Sequence, residues 1–232
     1  MSIALQVALV MVTILVVLLV IGAPIGVAIG MSSAVSMICM IPADVSFATS
    51  AQRIFAGFNS FSLIAIPFFI LAGNIMNNGG IATRLVNCAK VISGRMPGAL
   101  AQSNVVANML FGAISGSGAA AAAAMGGTIG PLEEKEGYDK NYSTAVNVAS
   151  APVGMLIPPS NTMIVYSSVA GSVSIAALFM AGYIPGLLWG GAVMILAGIM
   201  AKKRGYQAEQ RVPVKVALKT FWQAIPSLLL IV

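Results

Sequence analysis

Two uncharged stretches of this sequence carry residues that could bind an ion or an anionic group. The first is Ser115-Gly116-Ser117-Gly118, and the second runs from Gly154 to Thr162 through Pro158-Pro159. Both lie inside long apolar sequence. Lipid offers no hydrogen-bond partners, so backbone that is broken at that depth must be buried in protein or line a wet cavity. Discontinuous helices of this kind build the ion and substrate sites of secondary transporters.

The first stretch has the chemistry of a sodium site. Glycine and serine permit a tight turn that frees backbone carbonyl groups. Hard cations such as sodium prefer oxygen ligands, by analogy with calcium and magnesium. The hydroxyls of Ser115 and Ser117 would add such ligands without a charged residue. The alternative is a low-complexity helix with a glycine kink, because small residues are common in membrane helices.

The second stretch has the chemistry of an anion site. Pro158 and Pro159 cannot continue a helix, because proline lacks the amide donor and clashes with the preceding turn. Ser160, Asn161 and Thr162 then have the residue types of an N-cap for a new half-helix. The positive dipole end of that half-helix would bind an anionic substrate group near the middle of the membrane. The alternative is a simple proline kink.

Four further polar residues lie close to these stretches in the sequence. Asn104 and Asn108 are one helical turn apart before the first stretch, and Asn147 and Ser150 precede the second. These side chains either line the site or form hydrogen bonds between membrane helices. Both interpretations stay open on the sequence.

The positions of the acidic residues argue against proton coupling. Glu133, Glu134, Glu136 and Asp139 all fall in the charged loop after Pro131, and the chain has no histidine. A proton relay usually needs an acid or a histidine within the membrane. We therefore expect sodium as the coupling ion, and no organic cofactor.

Composition indicates an all-α polytopic membrane protein. Hydrophobic residues make up 59% of the 232 residues and charged residues 8%, whereas a soluble domain carries about 25% charged residues. A β-barrel would alternate apolar and polar residues, but the apolar runs here are continuous. The net charge of +6 comes from scattered residues, so it predicts no nucleic-acid partner.

Apolar length predicts the membrane spans, each of which needs about 20 residues. The expected spans cover residues 3–21, 25–41, 58–76, 143–170 and 175–201, with a last one that begins near Phe221 and continues past Val232. Pro42 to Gly57 is expected to be a loop, in part an interfacial helix. Ile81 to Ser93 has the pattern of an amphipathic helix, which can lie in the membrane interface.

Basic residues predict the orientation, because they concentrate in cytoplasmic loops. The loop from Lys202 to Lys219 is strongly basic and is placed in the cytoplasm. The loop 132–142 and the basic residues between 84 and 95 then lie inside too, provided that 98–131 is a re-entrant hairpin. The N-terminus and Arg53 fall outside.

Several segments, taken in order, resemble the large membrane subunit of TRAP transporters, the tripartite ATP-independent periplasmic family. These segments are Ser60 to Met76, the hairpin from Gly112 to Pro131, Gly154-Met-Leu-Ile-Pro-Pro-Ser160, and Leu178-Phe-Met-Ala-Gly-Tyr-Ile-Pro-Gly186. The resemblance covers nearly the whole chain.

The resemblance implies a sodium-coupled importer of organic acid anions (dicarboxylate, keto-acid or sialic-acid-like) in the bacterial inner membrane. It implies an elevator mechanism, a small membrane subunit and a periplasmic substrate-binding protein as partners, and a large subunit of two inverted repeats, of which this chain is similar to the first. By the same resemblance one sodium site falls on the following residues: Ser115, Gly116, Ser117, Gly154 and Pro158.

We divide the chain accordingly into three parts. Residues 1–97 are scaffold helices and an interfacial arm helix, residues 98–170 are the hairpin and broken helix of the transport domain, and residues 171–232 are a span, a basic loop and the start of the second repeat. The alternatives are another sodium–anion symporter of similar elevator fold, an ion-channel subunit, or a membrane enzyme. An enzyme is disfavoured, because no catalytic base or metal cluster is predicted at depth.

Overall fold

The computed structural model describes residues 3–59, 61–171, 173–208 and 213–228, and within these ranges every regular element is an α-helix. The all-α prediction is thereby confirmed. The helices are α1 Ile3–Val20, α2 Ile25–Ile38, α3 Ala43–Phe58, α4 Phe61–Asn78, α5 Ile81–Ser93, α6 Ala99–Ser115, α7 Gly118–Thr128, α8 Gly130–Lys135, α9 Lys140–Ser150, α10 Val153–Leu156, α11 Asn161–Ala170, α12 Ile175–Lys203 and α13 Val214–Leu228.

Apolar helices dominate the chain, as a membrane protein requires. Within the described ranges, α1 and α12 are long and apolar enough to cross a membrane, and residues 140–156 with 161–170 make a third span if that bent pair is counted as one. α1 buries none of its residues within this chain, although α2 packs along one side of it. α2 ends at Ile38 after 14 residues, about 21 Å of helix, and is shorter than the predicted span 25–41.

The first compact unit, Met1–Phe61, contains α1, α2 and α3. α2 packs against both neighbours, and the Ser46 hydroxyl donates to the Ala34 carbonyl at 3.1 Å. The segment 42–57, expected to be a loop with some helix, is helical from Ala43 onward. Asp44 in its first turn favours the helix, because a negative charge there complements the helix dipole.

The second compact unit, Ser62–Val232, is built around α6, almost all of whose residues are buried. α5 packs along it and buries Leu85, Val86 and Ala89. The amphipathic pattern of residues 81–93 is thus confirmed as a helix, but its apolar face is covered by protein. The sequence analysis placed the boundary between scaffold and transport parts between residues 97 and 98. α5 and α6, on either side of that boundary, belong to the same compact unit. The division into scaffold and transport parts therefore stays a prediction.

The C-terminal helix α13 also packs against α5. It begins at Val214, so the prediction of a helix start near Phe221 is wrong. The first turns of α13 are amphipathic and carry Lys215. Because basic residues interrupt the apolar sequence there, the prediction from apolar length alone missed this part of the helix. Arg211 of the predicted basic loop and residues 229–232 of the predicted last span lie outside the described residues.

Small residues let α12 pack closely against the second broken segment and against α6. Gly182 contacts the carbonyl of Leu156, and a Cβ placed on Gly190 would lie 2.7 Å from the sulfur of Met109. Gly186 lies between them and contacts Ile157. This spacing of glycines at every fourth position allows the close approach of membrane helices.

The charged loop after α8 and the end of α12 meet at one end of the second unit. The Asp139 amide donates to the Tyr206 hydroxyl at 2.8 Å, and Arg204 pairs with the Asp139 carboxylate at 3.2 Å. The Tyr142 hydroxyl donates to the Ala197 carbonyl at 2.8 Å. These contacts place the loop 132–142 and the start of the basic loop on the same side, as the orientation argument expects.

Candidate functional site

The first polar stretch breaks the chain between α6 and α7. Gly116 follows α6 with a φ of +62°, and its amide donates to the Gly112 carbonyl at 2.8 Å. Ser117 is extended and caps α7 by accepting the Ala120 amide at 3.3 Å. A left-handed residue and a serine cap are how helices end and begin. The predicted break is confirmed, and the glycine-kink alternative is wrong.

The two serines at this turn form hydrogen bonds with each other. The buried Ser115 hydroxyl lies 3.3 Å from the Ser117 carbonyl, to which it donates, and 3.4 Å from the Ser117 amide. A cavity of about 450 Å³ lies beside the turn, and both serines and Gly73 of α4 line it. The serine oxygens therefore lie between the hairpin turn and a space large enough for solvent.

The second polar stretch bends the chain by 50° between residues 140–156 and α11. The peptide bond Pro158–Pro159 is cis. Ser160 caps α11 by accepting the Met163 amide at 3.3 Å, and its hydroxyl donates to the Met155 carbonyl at 2.5 Å. The Ser160 side chain thus contacts the residues on both sides of the break. The broken helix predicted at this stretch is confirmed.

The two breaks lie against each other. A Cβ added to Gly116 would lie 3.1 Å from the Pro159 carbonyl oxygen and 3.2 Å from the Asn161 amide nitrogen. Only glycine suits this position, since it also has a left-handed backbone. The Asn161 side-chain oxygen is buried there and has no hydrogen-bond partner among the described residues. The turn around Gly116 and the break at 159–161 thus form one oxygen-lined junction.

Two of the predicted sodium residues lie apart from this contact. Gly154 packs directly against Gly112, where a Cβ on either residue would overlap the backbone of the other. This crossing of α6 and α10 lies one helical turn before Gly116. Pro158 is buried next to Pro159. The sequence analysis overlooked Gly112 and the Pro159 carbonyl, although Gly112 and Gly116 have a four-residue spacing that suits close helix packing.

The three residues predicted to bind substrate have three different environments. Ser160 is fully buried, and its hydroxyl is engaged in the cap. Asn161 lies at the junction, and Thr162 is exposed. Asn161 and Thr162 are therefore the residues of this group whose side chains remain free to meet a ligand.

The asparagine cluster joins helices to one another. The Asn108 amide nitrogen lies 3.0 Å from the Asn104 side-chain oxygen, 2.9 Å from that of Asn147 and 2.8 Å from the Ser150 hydroxyl. Asn147 also donates to the Ala122 carbonyl at 2.9 Å. The interhelical interpretation holds for these contacts, which tie α6, α7 and α9 together beneath the junction.

One acidic residue of the charged loop is not solvated, contrary to its expected place in a loop. Glu133 is 1% exposed, and burial raises the pKa of its carboxyl group to about 7, although the neighbouring Ser143 hydroxyl lowers it. Glu134 and Glu136, close by in the chain, are exposed. The difference depends on which residue of α8 faces α6 and α9, which the short helix does not reveal in the sequence.

Comparison with known proteins identifies relatives of this chain. The family model described as "Tripartite ATP-independent periplasmic transporter, DctM component" matches residues 12–232. The chain is 52% identical over 200 residues to uncharacterized protein YgiK of Salmonella typhimurium, covering 86% of this chain and 46% of that protein.

Several relatives carry functional names. The isethionate TRAP transporter permease protein DctMQ of Oleidesulfovibrio alaskensis is 43% identical over 175 residues, which cover 75% of this chain and 27% of that protein. The sialic acid TRAP transporter large permease protein SiaM of Vibrio cholerae is 39% identical over 189 residues, 80% of this chain and 43% of that protein. The chain thus spans about half the length, or less, of the curated relatives that it matches.

Proposed function

Since the chain belongs to the DctM family of tripartite ATP-independent periplasmic transporters, we propose that it takes part in sodium-coupled import of an organic acid anion. The observation that carries this proposal is the junction of the two breaks, where Gly116 lies against Pro159 and Asn161. A membrane-embedded junction of interrupted helices is where secondary transporters bind ions and substrates.

The helix ends at the junction favour a cation and an anion at neighbouring positions. α6 ends at Ser115 and presents its negative dipole end, whereas α11 begins at Asn161 and presents its positive end. In our proposal sodium binds at the carboxyl end of α6, to oxygens from Ser115, Ser117, the Pro159 carbonyl and Asn161. These groups are neutral, which matches a monovalent cation that must be released after each cycle.

An anionic group of the substrate would bind at the start of α11. Backbone amides at a helix N-terminus are a suitable site for a carboxylate or a sulfonate. Isethionate and sialic acid, named for two of the relatives, are both organic acid anions. We propose the same chemical class here, including dicarboxylates and keto acids, with the exposed Thr162 beside the bound group.

The proposal includes the architecture that surrounds the site. Residues 98–131 form a re-entrant hairpin that enters from the cytoplasmic side, and the transport part moves as an elevator against a scaffold in the bacterial inner membrane. Because this chain spans about half of its relatives or less, a second inverted repeat completes the site. A small membrane subunit and a periplasmic substrate-binding protein are the proposed partners.

Uptake by the complete transporter tests the proposal. The permease, reconstituted in vesicles with its small subunit and binding protein, should accumulate a labelled organic acid anion when an inward sodium gradient is imposed. A potassium gradient of the same size is the control and should drive none. Saturable sodium-driven uptake supports a transporter, whereas ohmic current without saturation would indicate a channel.

A further inference from the structure

A second polar cavity lies at the other end of the hairpin. Its volume is about 370 Å³, and residues of α6, α7, α8 and α9 line it, among them Asn104, Gly126, Glu133 and Ser143. Asn104 precedes Gly116 by three helical turns, about 18 Å along α6. The Gly112–Gly154 crossing lies between them along that helix. This cavity is therefore separate from the junction of the two breaks.

Among the described residues, three buried polar groups that line this cavity lack a hydrogen bond of good geometry. They are both carboxylate oxygens of Glu133, the Ser143 hydroxyl and the Asn104 side-chain nitrogen. The Ser143 hydroxyl is nevertheless close enough to Glu133 to lower the pKa of its carboxyl group. The three residues are 1%, 9% and 1% exposed, respectively. Buried polar atoms are paired in the great majority of cases, and an isolated buried carboxylate is especially unfavourable. Three groups that lack a hydrogen bond of good geometry at one cavity indicate a site that something polar fills.

The charged groups around Glu133 leave its carboxylate without a fixed counter-ion. Arg204 already pairs with Asp139 at 3.2 Å and lies 5.5 Å from the centre of the Tyr142 ring. Lys140 and Glu134 are exposed where they line the cavity, and their opposite charges offset each other. Burial raises the pKa of the nearby Tyr142 phenol to about 12, so this group carries no charge at physiological pH. Neutralisation of Glu133 must therefore come from Lys140 or from the solution.

We propose that this cavity binds one monovalent metal cation, with the Glu133 carboxylate as its charged ligand, the Ser143 hydroxyl as a neutral ligand, and water in the remaining positions. Carboxylate and hydroxyl oxygens are the ligands that hard cations prefer. A single carboxylate matches a single positive charge. Divalent hard cations are usually held by several carboxylate and carbonyl oxygens, whereas Glu133 is the one buried carboxylate that lines this cavity among the described residues.

Protons compete with the cation for the same oxygens. Because burial raises the pKa of Glu133 to about 7, the carboxylate is ionised above neutral pH and protonated below it. Cation affinity should therefore fall as the pH decreases through neutrality. The neutral ligands at the junction of the breaks give the sodium proposed there no such dependence.

Equilibrium binding of radioactive sodium to the complete subunit in detergent tests this cavity. We expect Glu133→Gln to bind one ion fewer than the wild type about one pH unit above neutrality, and the wild type to lose that ion about one unit below neutrality. Glu136→Gln is the matched control, since it removes the same charge from an exposed position of the same loop.

Two further variants keep the outcomes distinct. Ser143→Ala should lower the affinity for the ion whose binding depends on pH, without removing a charge. Asn161→Ala should lower the affinity only for the ion at the junction, whose binding does not depend on pH. If folded Glu133→Gln binds as many ions as the wild type at both pH values, the cavity holds a proton or water, and the proposal is wrong. An equal loss in Glu136→Gln would also overturn it, because the effect would then come from surface charge. If Asn161→Ala binds sodium like the wild type while Glu133→Gln loses one ion, the sodium site proposed at the junction is wrong and the site in this cavity is supported.

Discussion

Replacement of Gly112 by alanine tests the packing that brings the two breaks together. A Cβ at this position overlaps the Cα of Gly154 and lies 3.2 Å from its nitrogen and 3.3 Å from its carbonyl carbon. Carbon atoms in contact are normally about 3.5–4.0 Å apart. Both neighbours are backbone, so no side chain can rotate away, and α6 and α10 must separate by about an ångström or more.

The expected loss of stability follows from two opposing effects. Overpacking of a tight contact costs about 1–3 kcal/mol, while exchange of glycine for alanine within a helix gains up to about 1 kcal/mol. Because the overlap is with backbone, the cost lies toward the upper end of that range, and the net loss should be about 1–2 kcal/mol. A loss of this size lowers the melting temperature by about 2–8 °C for a domain of this length, and by less for the longer complete subunit. Gly116 follows Gly112 by one turn, so the junction should open and the sodium concentration for half-maximal uptake should rise.

Gly127→Ala is the matched control for this prediction. Gly127 lies in α7 of the same hairpin, and a Cβ there would meet no atom within 4 Å. That variant should melt at or slightly above the temperature of the wild type, because only the gain in helix propensity applies. Melting of the purified complete subunit is measured by intrinsic fluorescence. If Gly112→Ala melts no lower than Gly127→Ala, the close crossing of α6 and α10 is wrong.

Four further predictions concern the serine ligands, the orientation, the buried glutamate and the length of the chain. Ser115→Ala or Ser117→Ala should raise the sodium concentration for half-maximal uptake, and an unchanged sodium titration would count against serine ligands. Single cysteines at Arg53 and Lys203, labelled in intact cells by an impermeant reagent, should react only at the first position; reaction at the second alone would reverse the orientation. In buffer without alkali cations, Glu133→Gln should melt above the wild type at alkaline pH and at the same temperature near pH 4. The raised pKa of the Glu133 carboxyl group lowers the stability of the wild type as the pH rises from 4.5 to about 7. A difference in melting temperature that does not change with pH would refute this. The 232 residues alone, reconstituted with both partners, should show no sodium-driven uptake, and robust uptake would refute the need for a second repeat.

The sequence predicted the local features of the site better than its assembly. Helix breaks depend on nearby residues, so Ser117 and the Pro158–Pro159 pair were enough to place them. The contact of Gly116 with Asn161 depends on how distant segments pack, which local patterns do not contain.

The same reason explains the errors. Whether a glutamate of the charged loop is solvated depends on helical phase against α6 and α9, so Glu133 could not be told from Glu136. The helix α13 begins seven residues before Phe221, because basic residues on its polar face hid an amphipathic start. Family resemblance, in contrast, depends on motifs in order, and the match over residues 12–232 confirms it.

In the proposed site the two breaks close around one sodium ion, and an experimental structure of the complete transporter in sodium and in potassium tests this most directly. We predict density for one ion in sodium, between the turn at Ser115–Ser117 and the oxygens of Pro159 and Asn161, and its absence in potassium. Density at this position in neither salt, together with uptake that persists without sodium and stops when the proton gradient is collapsed, would contradict the account.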